Sequence, residues 1–347
     1  MALRWTNIAE VFVTTALVSY AITPLIRKLA IKTGYLDHPL SSKVHAHPTP
    51  LLGGVAIYIA FMVGVITTIR FTHDPRLCSI LIGATFLLVI GLVDDRMGMM
   101  PEVKLLGQFL ASMVVIKSGV RMEFLNNYYL NVIVTYVWLI GITNAFNLLD
   151  NMNGLSAGIA AIAAVFFGLV MWSGNQLQIA VISFALAGAT LGFLKHNFPK
   201  ASIFMGDTGS LVIGFILAST AVLGSWSSDF LTTSLAMPII ILGYPIFDTT
   251  LVTVIRLMEG RSIFQGGKDH SSHRLALLGL KKKRAVLVIY GVCIALGLSA
   301  LLIQRLHLKY AVWAIAAIAV SMLALGIWLA TVSTGRFGRL KSAKDIR

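Results

Sequence analysis

The sequence predicts an all-α protein, a polytopic membrane bundle of about eleven transmembrane helices, and three observations carry that prediction. Of the 347 residues 57% are hydrophobic, and the mean hydropathy is +0.84. Only 12% are charged, about half of the roughly 25% usual in soluble domains. The apolar residues gather in stretches near the ~20 residues that a helical span needs. No stretch resembles a separate soluble domain or a repeat, so residues 1–347 read as one integral-membrane domain.

The expected spans run near 8–30, 51–70, 78–93, 104–119, 128–148, 154–173, 177–195, 208–226, 233–256, 285–304 and 310–331. The first is long enough to remain as a span rather than be removed as a signal peptide. Eleven crossings put the termini on opposite sides. The loops after odd-numbered spans, with the C-terminal tail, carry 21 Lys and Arg, against 7 on the other side. Basic residues stay inside, which predicts an external N-terminus and a cytoplasmic C-terminus. The net charge of +14 is then largely a topology signal that requires no nucleic acid. The basic segment 335–347 reads as a cytoplasmic tail at the anionic leaflet. Cys78 and Cys293 lie in apolar stretches and read as small buried hydrophobes, not as a disulfide or zinc framework.

Most acidic and imidazole groups fall on the predicted cytoplasmic side, in five loops. In YLDHPLSSKVHAHPTPLLGG, Asp37, Lys43 and His45 alternate with prolines that stiffen the loop, and a glycine pair follows. In LLVIGLVDDRMG, Asp94 and Asp95 end an apolar run. Ionisable groups at such depth are costly and mark function; paired carboxylates hold a divalent cation or act as base. Lys104 follows, either snorkelling or facing a phosphate. In GITNAFNLLDNMNGL, Asn144, Asn147 and Asp150 recur at helical spacing, and Asn-Gly ends the helix. In HNFPKASIFMGDTGSL, Asp207 either caps the following helix or binds a metal ion beside a phosphate at a helix N-terminus. In RSIFQGGKDHSSHRL, Asp269, His270, His273 and Arg274 suit a diphosphate better than zinc, for which two histidines are too few.

Taken in order, these motifs resemble the polyprenyl-phosphate N-acetylhexosamine-1-phosphate transferase family, over about residues 30–280. The resemblance implies a multi-pass enzyme of a bacterial or archaeal plasma membrane with a cytoplasmic active site. Its partners would be a UDP-N-acetylhexosamine, most simply UDP-GlcNAc, undecaprenyl or a similar polyprenyl phosphate, and the bilayer. Mg²⁺, with Mn²⁺ as substitute, is the implied cofactor, and a homodimer is left open. By position in the motifs, Asp94, Asp95 and Asp150 are the implied catalytic acids, and Asp207 and Asn147 the metal residues. Lys104, His270, His273 and Arg274 would meet the diphosphate and sugar, and Asn153, Phe204 and Asn197 the uridine. Asn153 stands where many bacterial members carry Asp, though an amide still pairs with uracil through donor and acceptor. Ser271 and Ser272 stand where several relatives carry a further histidine, which argues against a phospho-MurNAc-pentapeptide donor. The expected reaction is attack of the lipid phosphate on the donor's β-phosphorus, releasing UMP and starting a lipid-linked envelope glycan such as O-antigen or teichoic acid. An ion-coupled transporter is the rival reading. It explains helix-end acids, but transporters place such groups near the midplane.

Overall fold

The computed structural model describes residues 5–37, 48–68, 74–224, 231–263, 267 and 269–334. The candidates Lys43 and His45 and the basic tail 335–347 lie outside the described residues. The chain divides into two compact units, Met1–Ser227 and Ser228–Arg347, a division that apolar composition, alike in both, does not reveal.

The first unit begins with α1 (Trp5–Thr33), followed by a two-residue pairing of β1 (Leu36–Asp37) with β2 (Thr49–Pro50), in which Asp37 faces Thr49. Then come α2 (Gly53–Thr68), α3 (Pro75–Met97), α4 (Pro101–Lys117), α5 (Tyr128–Leu149), α6 (Leu155–Ser173), α7 (Leu177–Asn197) and α8 (Gly206–Leu223). Local chemistry sets the boundaries. Asp74 accepts from the Arg76 amide at 2.9 Å and Pro75 opens α3, where a missing N–H costs nothing. Gly98, at φ +68°, ends that helix. Asn127 caps α5 by accepting from the Leu130 amide at 3.1 Å. The α5–α6 turn closes on Gly154, at φ +78°. Helices α6, α7 and α8 form the buried centre; α1 and α2 pack on α7, while α3 and α5 pack on α8.

The second unit contains α9 (Leu231–Ile241), α10 (Gly243–Met258), α11 (Ser271–Leu277), α12 (Lys282–Ile303) and α13 (Leu308–Thr334). Leu251 and Ile255 of α10 meet Leu329 of α13 in its apolar cluster.

Every apolar stretch expected to span is helical in the described residues, but the ninth is not one helix. It breaks at Leu242 into α9 and α10. Pro245 supplies the reason: it has no N–H for the Ile241 carbonyl four residues back, and its ring crowds that carbonyl. Among the described residues, eight helices are long and apolar enough to cross a membrane, namely α1, α3, α5, α6, α7, α8, α12 and α13. The protein is thus an all-α, multi-helix membrane protein. α2 is apolar but shorter, at 16 residues.

Candidate active site

In the first unit, the carboxyl-terminal ends of α3 and α5 and the amino-terminal ends of α4 and α8 bring one polar cluster together. Lys104 lies at its centre. Its Nζ donates to Asp207 Oδ2 at 2.6 Å and pairs with Asp94 Oδ2 at 2.7 Å. Asp94 Oδ1 accepts from the Met99 amide at 2.6 Å, which folds the α3–α4 turn back on the carboxylate. Asp207 Oδ1 accepts from Asn147 Nδ2 at 2.9 Å, and the same amide reaches Ser210 Oγ at 2.9 Å. Four residues far apart in the sequence thus share one constellation.

Asp207 opens α8 but does not cap it. Asp95 does so from α3: its Oδ1 accepts from the Asp207 amide at 2.8 Å, and its Oδ2 from the Thr208 amide at 3.1 Å and the Thr208 hydroxyl at 2.5 Å. A carboxylate on the free N–H groups of a helix N-terminus is favoured by both hydrogen bonding and the helix dipole. Of the two readings of Asp207, the capping one is not realised: Asp95 caps α8, and its oxygens accept from donors within the fold.

Glycines permit the approach. Gly206 has φ +73°, and a Cβ there would run into the Asp95 carboxylate. Gly91, one helical turn before Asp95 on the same face of α3, lies against the Thr208 backbone; a Cβ there would stand 2.5 Å from its nitrogen.

The neighbouring residues divide between reaching outward and holding the fold. Asp150 caps the end of α5, its backbone N–H donating to the Asn147 carbonyl, and among the described residues no side chain bonds to its carboxyl. Burial pushes that carboxyl up to about 8, and the charges of Asp207 and Asp95 add to the rise. Asn144 pairs with Gln108 of α4 in a reciprocal amide bridge, at 2.6 and 3.2 Å. Asn153 is exposed, with Nδ2 3.4 Å from the Pro199 carbonyl. Phe204 is half-buried; its amide donates to the Pro50 carbonyl at 2.8 Å, and its own carbonyl accepts from Gly53 at 2.9 Å. Asn197, expected to meet uridine, is 3% exposed, with both amide ends committed to backbone: Oδ1 to the Gly154 N–H at 2.7 Å and Nδ2 to the Ile203 carbonyl at 2.9 Å. It holds the turn on which Asn153 stands.

In the second unit, sequence reasoning missed Asp248. This α10 residue is fully buried and bonds to His270 and Ser271. An ionisable side chain inside an apolar stretch was the signal that could have found it. Asp269 pairs with Arg256 at 3.2 Å and bidentately with Arg261 at 3.1 Å. Burial works against its charge, yet the pairs with Arg261 and Arg256 outweigh it and hold the carboxyl below its ordinary value. Arg274, expected to meet a diphosphate, is 2% exposed and donates to the Asp269 and Leu329 carbonyls, at 2.7 and 3.1 Å. That makes it a brace for α11 and α13. His273 is half-buried, its ring centroid 6.5 Å from that of His270.

The cluster around Lys104 suits a hard divalent cation beside phosphate. Asp94 and Asp207 already converge on one cationic group, and Asn147 adds an amide. Among the described residues, no group of three or more His, Cys, Asp or Glu side chains is placed to cage a metal. Mg²⁺ is commonly held by one or two carboxylates, with water and substrate phosphates completing the octahedron.

Comparison with known proteins adds an independent line. The sequence pattern described as glycosyl transferase family 4 matches residues 77–225, a span that contains the whole Lys104 cluster. A Bacillus subtilis (strain 168) protein named a probable undecaprenyl-phosphate N-acetylglucosaminyl 1-phosphate transferase is 36% identical, over 87% of this chain and 86% of its own. The decaprenyl-phosphate N-acetylglucosaminephosphotransferase of Mycolicibacterium smegmatis is 34% identical, over 82% and 79%. A phospho-N-acetylmuramoyl-pentapeptide-transferase of Bacillus cytotoxicus is 31% identical, over 80% and 91%.

Proposed function

Since the chain belongs to glycosyl transferase family 4, we propose that it transfers N-acetylglucosamine 1-phosphate from UDP-GlcNAc to undecaprenyl or a similar polyprenyl phosphate, releasing UMP. The observation that carries this reading is the Asp94–Lys104–Asp207–Asn147 constellation, with Asp207 clamped by Asp95 at the head of α8. Two of the relatives above are named for N-acetylglucosaminyl phosphate transfer to a polyprenyl phosphate, at higher identity than the pentapeptide transferase.

The chemistry follows from charge. An oxygen of the acceptor phosphate forms a bond to the donor's β-phosphorus, and the bond from that phosphorus to the bridging oxygen breaks, so UMP leaves with the electron pair. A phosphate monoester has a second pKa of about 6 and is mostly dianionic at neutral pH. A strong base is therefore unnecessary, and the protein's task is to place the anions and offset their charge. Lys104 contributes a fixed ammonium where the diphosphate is to lie, and Asp94 keeps that ammonium oriented. Asp207, with Asn147, would hold Mg²⁺ or Mn²⁺, which when bound screens the diphosphate's charge. Asp150 would supply its carboxyl for orienting the acceptor phosphate. Asn153 and Phe204 are assigned to the uridine, and His270 and His273 to the sugar phosphate. Asp37, half-buried beside the first loop, has no assigned role in the transfer.

We further read the topology as eleven crossings, with the C-terminus and the site cytoplasmic, on the 21-to-7 asymmetry of basic residues. The envelope of a bacterium or archaeon is then where the product is used. The test is UMP release by purified protein from UDP-GlcNAc, undecaprenyl phosphate and Mg²⁺. Release that survives in Asp207→Asn would sink the reading.

A further inference from the structure

Asp248 sits in the apolar helix α10 with 0% of its surface exposed. A buried carboxylate is costly unless fully hydrogen-bonded, and here every lone-pair direction in use is aimed at one short segment. Oδ2 lies 2.7 Å from His270 Nδ1. Oδ1 accepts from the Ser271 amide at 2.7 Å and the Ser271 hydroxyl at 2.5 Å. Tyr244, also on α10, braces that hydroxyl from its other side at 2.6 Å. Capping the short α11 would need only Oδ1. The second oxygen is committed to the imidazole.

The consequence is geometric. A carboxylate accepts only from a protonated nitrogen, so Nδ1 is the N–H of His270, and the ring cannot rotate without leaving a buried charge unpaired. Nε2 carries no partner among the described residues, and it is not among the buried unsatisfied atoms. From this we infer that Asp248, braced by Ser271 and Tyr244, is a positioning residue that fixes His270 with Nε2 presented to the donor's phosphate or sugar. The inference rests on the assignment of His270 in the proposed transfer. It also gives the serine that follows His270 a purpose: Ser271 anchors the carboxylate.

A double-mutant cycle tests it. Asp248→Asn keeps the shape but cannot accept from both Ser271 and Nδ1–H. UMP release should fall about 10–100-fold, as for other groups that orient a working histidine. In the His270→Ala background the same change should cost less than about 3-fold, because effects exerted through one residue do not add. An equal loss in both backgrounds overturns the inference. Ser271→Ala, which leaves the carboxylate in place, should give a smaller loss that likewise vanishes with His270→Ala. That keeps the test alive if Asp248→Asn fails to fold. A second readout needs no substrate: in the ¹⁵N-histidine spectrum, His270, assigned by its loss in His270→Ala, should be Nδ1-protonated and should change in Ser271→Ala or Asp248→Asn. A His270 protonated at Nε2 alone overturns the inference as well. If the wild type releases no UMP from any UDP-N-acetylhexosamine, the proposed transfer fails, while the spectrum still judges the role of Asp248.

Discussion

Gly91→Ala perturbs the site without touching any group assigned to substrate. Its added methyl would stand 2.5 Å from the Thr208 nitrogen and 2.8 Å from the Asp207 carbonyl carbon. Ordinary contact begins at 3.4 Å, and the Thr208 Cα would stand closest of all, so the head of α8 has to retreat from α3 by about 1 Å. Backbone cannot yield as a flexible side chain can, and overpacking of this kind costs about 1–3 kcal/mol. The retreat acts on the same face that carries Asp95. It stretches the 3.1 Å and 2.5 Å bonds from Thr208 and carries Asp207 away from Lys104. Displacements near 1 Å in a phosphoryl-transfer site lower turnover by about 10²-fold. Initial rates of UMP release, beside thermal unfolding in detergent, separate the two effects. The expected outcome is a folded protein with kcat down about 10²-fold. A folded Gly91→Ala protein with unchanged kcat would refute the claim that the α3–α8 approach positions Asp207.

Three further predictions concern other groups. Lys104→Met leaves the Asp94 and Asp207 carboxylates facing one another without their shared cation, so turnover should fall by about 10²–10³-fold, as when a group stabilising transition-state charge is removed; UMP release measures it. Asn197→Ala removes its hydrogen bonds to the Gly154 N–H and the Ile203 carbonyl, at about 1–3 kcal/mol each, so unfolding temperature should drop, and the KM for donor should rise through Asn153. A depressed folded-state value means that the Asp269 pairs with Arg256 and Arg261 stabilise at pH above the unfolded carboxylate value of about 3.9 and are lost as pH falls through the folded one. Hydrogen exchange in 259–263 should therefore be flat from pH 8 to 5, after correction for intrinsic rates, and should loosen only below about pH 4.

The helices were legible because apolar length is a local property. Each of the eleven expected stretches holds a helix, and only Pro245, read as part of a continuous span, hid the break at Leu242. The Lys104 cluster was legible in its members, since Asp94, Lys104, Asn147 and Asp207 all sit in helix-end motifs. Their partners were not. Nothing local tells Asp94 from Asp95, yet they face opposite duties a hundred degrees apart on α3: one meets Lys104, the other caps α8. Asn197 and Arg274 carried the right chemistry for a ligand, but their hydrogen bonds go to backbone carbonyls and amides that no side-chain pattern encodes. Asp248 was marked only by its charge inside an apolar run, with no motif to name its partners, and Ser271 read as a missing histidine when its hydroxyl and amide hold Asp248.

The central claim is that Asp207, held by Asp95 and Lys104, organises transfer of a sugar phosphate from a UDP-sugar to a lipid phosphate. The most direct measurement is UMP release by purified wild-type and Asp207→Asn protein, supplied with UDP-GlcNAc, undecaprenyl phosphate and Mg²⁺. The expected outcome is steady UMP release with a lipid-linked GlcNAc phosphate as co-product, and a loss of at least about 10²-fold in the variant. Equal UMP release by both proteins, or none from the wild type with any UDP-N-acetylhexosamine, would contradict it.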